Sequence, residues 1–518
     1  MKGKMVENAV GRKVPTEING EEVIPFKGLG NHLPEGNRYG PPIYSSTQYP
    51  PDGNKVVGSL EEALKQCGLS NGMTISTHHH MRDGDLVSNE IFKVASKLGV
   101  KDLVWFPSAS FPCHEPITEY LADGTIDHIE GSMNGPLGRF VSEGKMKGTG
   151  VLRSHGGRYQ AIQDGEVKID IAVIAAPTSD PFGNANGVYG PSACGGLGYA
   201  LADHTYADRV IVVTDNLVEF PCFPMHIVGN YVDCVVEVDQ IGIPEKIVSG
   251  TTRITRSPDR LLIAELTARF CEEAGIIHDG FTFQTGAGGT SLAIGNYFHE
   301  IMKKNGVRAR FASGGSTEFI VKMLEDGCVD YILDAQTFDL ESVKSIRRNP
   351  GHKVTSIFNC YDYHSKGNFT TMIDVVILGA TEIDVGFNGN VVTHSDGYML
   401  HGIGGWQNTL FGKNVIIPVP LFRDRIPVIK DRVTTLCGPG ELVDVIVTER
   451  GIAVNPRRTD LLDKVKGSDL PIRSIEELKE EAEKICGKPR EPELDDEIVA
   501  AVKWVDGTVI DVVKKVRI

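Results

Sequence analysis

Four small residues, Gly286, Ala287, Gly288 and Gly289, interrupt a pattern that otherwise reads as strand and then helix. Phe281, Thr282 and Phe283 are aromatic or β-branched, as in a short buried strand, and from Ser291 to Met302 apolar residues recur at helical spacing. A glycine turn between the two strips side chains from the backbone where a parallel strand ends. It leaves N–H groups at the helix start to face an anion. Donors so placed stabilise negative charge developing on an oxygen, so Gly286, Ala287, Gly288 and Gly289 are the expected catalytic residues. The competing reading is a turn that only packs helix against sheet.

Three adjacent histidines, His78, His79 and His80, followed by Arg82, sit where another parallel strand should end, the edge at which open α/β sheets bind ligands. Adjacent side chains on an extended turn do not converge on one metal, so they are read as anion-binding or acid–base groups, and no metal is expected. Structural histidines are the alternative. Arg153 and Arg158 bracket Gly156 and Gly157, a fork for a carboxylate-rich ligand or, as plainly, a solvated basic loop. Glu382, Asp384 and Asn388 lie just past an apolar run. Carboxylates there hold loops through backbone N–H groups or act as bases, and for Asp384 the structural role is expected.

These groups need a scaffold, and the chain supplies one twice. Residues 72–77 (GMTIST) precede the histidines much as 280–285 (GFTFQT) precede the glycine turn, an offset of 208 from Gly72 to Gly280. Residues 170–180 match 374–384 at an offset of 204 from Asp170 to Asp374, and Asn184 and Asn186 match Asn388 and Asn390. Two echoes in the same order point to a duplicated α/β domain, with a site between the halves. The expected fold is α/β, two similar open and mostly parallel domains with an irregular N-terminal arm. The arm spans 1–58, rich in Gly, Pro, Asn and Tyr; the first domain 59–252; the second 253–518.

Local signals mark the elements. Ser59 with Glu62 reads as a capping box, Ser257-Pro258 as a helix start closed at Gly275, and Ser474 with Glu477 as a late helix ending at Gly487. Residues 504–509 (WVDGTV) read as a hairpin with an Asp-Gly turn. At 518 residues, two domains are the natural size.

The apolar runs are far shorter than a membrane span, and the opening residues lack the apolar core expected of a signal peptide. Ten scattered cysteines without a C-x-x-C pair suit a reducing cytoplasm. A net charge of −15 without clustered Lys and Arg argues against nucleic acid.

Residues 284–288 (QTGAG), 380–384 with 389–391, the loop from Gly402 to Gln407, and 447–451 (VTERG) resemble successive signatures of the acyl-CoA:carboxylate CoA-transferase superfamily. With the arm, the histidine turn and the tail at 504–512, the whole chain resembles the alpha-subunit family of bacterial citrate lyase. The resemblance implies a transferase that exchanges acetate for citrate on a phosphopantetheine-type, dephospho-CoA-derived arm. That arm belongs to an acyl carrier (gamma) subunit, so no cofactor is bound covalently to this chain. A beta subunit then cleaves the citryl group, and an oligomer is expected. The resemblance adds Ser313, Gly314 and Glu382 to the substrate-binding set and gives carrier or CoA contact to Asn388, Gly404, Gly405 and Gln407.

Transferases of this type that work through a glutamyl thioester carry the glutamate about twenty-five residues after the glycine turn. Here the hand alignment puts Gly314 in that place, so direct attack by citrate through a mixed anhydride is expected. A slip of four residues would bring in Glu318. Two alternatives stand beside this reading: a free-CoA transferase for another small acid such as citramalate, and a non-catalytic sugar-phosphate or ligand-sensing α/β domain.

Overall fold

A computed structural model describes residues 52–247, 253–286 and 288–517, with short pieces at 4–8, 13–18, 21–22, 25 and 50. Two sheets dominate. The first runs Val56–Val57, Cys234–Glu237, Arg209–Thr214, Ile171–Ala175, Thr74–Thr77, Leu103–Pro107, Ile126–Ile129, parallel throughout. The second runs His352–Val354, Val329–Thr337, Ala309–Ser316, Thr282–Gln284, Val375–Ile377, Val415–Pro418, Val445–Thr448, Gly451–Val454, and only the last strand is antiparallel. Central strands such as Val415–Pro418 are buried along their whole length, as helices on both faces of a parallel sheet require.

The duplication is visible bond by bond. The strand before the histidines lies between Ile171–Ala175 and Leu103–Pro107, and the strand before the glycine turn lies between Val375–Ile377 and Ala309–Ser316. The Thr74 N–H donates to Asp170 at 2.8 Å, and the Thr282 N–H donates to Asp374 at 2.9 Å. Asn184 donates to Asp180 and accepts from the Gly229 N–H at 2.9 Å; Asn388 donates to Asp384 and accepts from the Gly440 N–H at 2.8 Å. Asp180 and Asp384 also accept from backbone N–H groups of the turns that follow them, the structural role expected for Asp384.

Most of the expected arm, and the boundary near residue 252, lie outside the described residues. Where it is described, the arm holds two short antiparallel pairs, Met5–Glu7 with Lys13–Pro15 and Glu17–Ile18 with Glu21–Glu22. Its end is not irregular: Val56–Val57 is an edge strand of the first sheet, made by pairing with Val235 and Val236. Two residues are too few to show alternation in sequence, and the strand exists because a partner is there.

Ser59 accepts from the Glu62 N–H at 3.1 Å, while Glu62 reaches back to the Gly58 N–H at 3.0 Å, one residue earlier than in a capping box. The Ser257 side chain makes no cap hydrogen bond, and Pro258 opens the helix Pro258–Glu273. Ser474 and Glu477 form the full reciprocal box at Ile475–Cys486. The C-terminal hairpin Leu494–Lys503 with Val509–Val516 turns at Asp506-Gly507 and adds in parallel to Gly150–Leu152. The last part of the chain thus lies against a strand from its N-terminal half. Among the described residues no helix is long and apolar enough to cross a membrane.

Candidate active site

Phe281 and Phe283 stack at 5.5 Å, and Phe298 of the helix Gly289–Asn305 meets both edge-on. That packing fixes the glycine turn between strand and helix. Gly288 is the N-cap, and Gly289 lies so close to Arg253 and Thr255 that a Cβ would stand 2.7 Å from the Arg253 carbonyl. Ala287 lies outside the described residues.

Gly286 borders a cavity of about 360 Å³. Residues at or just past the carboxyl ends of strands in both sheets line it: His79 and Arg82 from the first, Gln284, Gly314, Gly315 and Gln336 from the second. Gly402, Gly404, Gly405 and Trp406 line it from the segment beyond Leu400, and Asn134, His155, Tyr199, Tyr361 and Phe338 are among its other walls. Among the described residues that line this cavity none carries a carboxylate or a thiol.

His79 is held on both ring nitrogens. Gln336 donates from Nε2 to the His79 carbonyl at 3.0 Å, which turns its Oε1 toward His79 Nε2 at 3.0 Å; Nε2 therefore carries the proton, and Nδ1 accepts from Ser108 Oγ at 2.6 Å. Burial first, then His155, His80 and Arg82, push its pKa well below the ordinary value, so the ring is neutral. His155, stacked on it at 5.3 Å, is lowered to about 3 by burial and by Arg158. The cation is Arg82, whose guanidinium lies over Phe338 at 4.5 Å and Phe111 at 5.2 Å; burial lowers it to about 10, leaving it charged at neutral pH. Its backbone stands at φ +51°, a left-handed conformation uncommon for arginine.

Several expected ligands turn out to be internal struts. His78 and His80 are buried away from the cavity, His78 Nε2 lying 2.9 Å from Asp203. Arg158 grips Asp203 with both terminal nitrogens, at 2.6 and 2.5 Å, with its guanidinium over Phe106. Although burial raises Asp203, Arg158 and His78 hold it well below the usual carboxylate range. Arg153 is taken up by Glu130 and Glu166, and Glu166 also holds Lys503 of the C-terminal hairpin at 2.6 Å. A sequence shows these cations but not which carboxylates take them up, the buried Asp203 for Arg158 and the less buried Glu130 and Glu166 for Arg153.

Glu382 is wholly buried, paired with Lys430 and accepting from Asn390, Ser395 and Thr434. Burial pushes its carboxyl up, but Lys430 brings it below its ordinary value. Gln407 donates to the carbonyls of Cys437 and Lys503, and Asn388 is bound to Asp384, so neither reaches the cavity, whereas Gly404 and Gly405 do. A Cβ at Gly405 would stand 2.8 Å from the Tyr361 hydroxyl. Ser313 is buried in its strand beside the cavity.

Gly314 borders the cavity at φ +103°, where an L side chain is strained. Glu318 is exposed and outside it. Sequence reasoning missed His155, Tyr199, Gln336, Phe338 and Tyr361. They share no signal in sequence: Gln336 lies inside a strand and Phe338 just past it, while His155, Tyr199 and Tyr361 sit at helix ends that only the three-dimensional arrangement brings together.

Two mostly parallel sheets with a glycine-lined cavity at their strand ends define a fold of CoA-transferase type. The 4-hydroxybutyrate CoA-transferase of Porphyromonas gingivalis shares it, with a TM-score of 0.53 and 15% identity over 83% of this chain and 97% of that one. The chain belongs to the citrate lyase alpha subunit family: the family model "Citrate lyase, alpha subunit (CitF)" matches residues 53–516. The citrate lyase alpha chain of Klebsiella pneumoniae is 42% identical over 465 residues, 89% of this chain and 92% of that protein. A structure from Streptococcus mutans, named as the alpha subunit of citrate lyase in complex with citrate, superposes with a TM-score of 0.90 at 41% identity, covering 99% and 100% of the two chains. The chain is thus a transferase of the citrate lyase system.

Proposed function

We propose that this chain moves an acyl carrier from acetate to citrate by direct attack of the citrate carboxylate on the acetyl thioester, with no glutamyl thioester on the enzyme. The observation that carries this reading is the cavity lining, which holds no carboxylate among the described residues while Gly314 occupies the position aligned with the nucleophile. A citrate carboxylate attacks the thioester carbonyl carbon and the carrier thiolate leaves, giving an acetyl–citryl anhydride. The thiolate then attacks the citryl carbonyl, acetate departs, and citryl thioester remains. Charge building on the carbonyl oxygen is met by backbone donors around Gly286 at the N-terminus of the helix Gly289–Asn305. Arg82 supplies fixed positive charge for the acid, and the neutral rings of His79 and His155 shape the wall without adding to it.

The partners that follow are an acidic acyl carrier (gamma) subunit bearing the phosphopantetheine-type arm and a citryl-cleaving beta subunit, working in a reducing cytoplasm. The described cysteines are free thiols, as that compartment keeps them. The test is initial-rate kinetics with the acetylated carrier, and with acetyl-CoA beside it, against citrate. Direct attack needs both substrates bound at once, so double-reciprocal lines intersect and the carrier is the better substrate. Parallel lines would mean a covalent enzyme intermediate.

A further inference from the structure

Gln284 ends the strand that leads into the glycine turn, and the residue is 8% exposed where it meets the cavity. Among the described residues its amide has no hydrogen-bond partner, and Oε1 is shut away from solvent unsatisfied. Oε1 is an acceptor that only a donor could satisfy, so a carboxylate would meet the other arm of the amide, the two N–H donors on Nε2. Its neighbour across the sheet is Gly314: a Cβ there would stand 3.2 Å from Gln284 Cγ and 3.6 Å from Nε2. The space kept open over Gly314 is therefore within reach of the Gln284 N–H donors.

We propose that Gln284 binds the attacking carboxylate of the acceptor acid, holding it in the space left by the absent side chain at Gly314. This rests on the direct-attack reading and names a residue for its first step. The Nε2 group offers two N–H donors and the carboxylate two acceptor oxygens, so the match needs no change of protonation. Two residues on, Gly286 borders the same cavity, so a carboxylate over Gly314 lies beside the turn that receives the thioester oxygen. Gly314 is required for this on two counts: any side chain would fill the space, and φ +103° strains any residue but glycine.

The test uses the full chain, reading citrate affinity by calorimetry and the KM for acetylated carrier in turnover. Gln284→Met keeps the length of the side chain and removes the donor. We expect it to weaken citrate binding about tenfold or more, with the KM for the carrier changed less than about twofold. Gln284→Glu binds citrate more weakly still at about pH 8 and recovers, relative to the unsubstituted chain, toward about pH 5 as its carboxyl regains a proton. Gln284→Asn, which keeps the amide but withdraws it by a methylene, shows a citrate-specific loss as well, independent of how Gln284→Met folds. Citrate affinity unchanged in Gln284→Met and Gln284→Asn overturns the inference. So does a loss that falls on the carrier instead, which would assign Gln284 to the thioester arm. If the unsubstituted chain itself fails to bind citrate, the direct-attack reading fails and this inference with it.

Discussion

His79 and Gln336 hold each other across the two sheets: the imidazole Nε2 donates to the amide Oε1 at 3.0 Å, and the amide nitrogen donates back to the His79 carbonyl at 3.0 Å. The strand ends that face each other over the cavity are thereby fixed in register, and one tautomer of His79 is selected. Gln336→Leu leaves a buried N–H and a buried carbonyl without partners. The expected loss of unfolding free energy is about 1–3 kcal/mol, measured by denaturant titration. A variant as stable as the parent would show that the pair does not brace the halves.

Arg82 is the cation of the cavity wall, sandwiched between Phe111 and Phe338. Arg82→Gln should raise the citrate KM about tenfold or more, because a charge-assisted contact is lost in a partly desolvated site. Arg153→Gln, whose partners are Glu130 and Glu166, should leave the citrate KM within about twofold and lower the melting temperature instead. Equal effects on citrate in both variants would dismiss the assignment of Arg82.

The Arg158–Asp203 pair is structural, and its effect is on stability. Asp203 has a depressed pKa in the folded chain, so its stabilisation is present above about pH 4 and is lost as pH falls through the depressed value. Arg158→Met leaves the carboxylate buried without its guanidinium, at a cost of about 3–5 kcal/mol at neutral pH. Asp203 then titrates higher, and the deficit narrows in acid as the carboxyl takes a proton. Denaturant unfolding across pH measures this, and a deficit that widens toward acid would contradict it.

Burial lowers the folded-state pKa values of His79, His80, His155 and His226, the last two to about 3 and about 4. A group lowered in this way favours the folded chain above its unfolded pKa, and that contribution drains away as pH falls below it. Unfolding free energy should therefore decline from about pH 6.5 downward, with proton uptake on unfolding readable by calorimetry in buffers of different ionisation heat. A flat profile between about pH 6.5 and about pH 5 would mean the rings are accessible.

Much of this fold is legible in the sequence because strand signals and their following turns recur at nearly constant offset. Asp170 and Asp374 even hold their strands through the same backbone bond. Gly286, Gly314, Gly404, Gly405, His79 and Arg82 are legible at the cavity because they lie near strand ends or in the glycine loop, whereas Gly288 and Gly289 do not border it. Arg158, His78, Glu382 and Gln407 mislead because a buried polar residue looks in sequence like a ligand-binding one. Only the position of Asp203, Lys430 or the Cys437 carbonyl separates the two. His155 and Tyr199 escape notice because their role depends on stacking against His79.

The central claim is that citrate itself is the nucleophile. Incubating the chain with acetylated carrier in the absence of citrate, reducing with borohydride and analysing every peptide by mass measures this directly. The account predicts that every glutamate is recovered unmodified, exposed Glu318 and buried Glu382 included. A reduced glutamate at Glu318 or at any other position, formed before citrate is added, would contradict it.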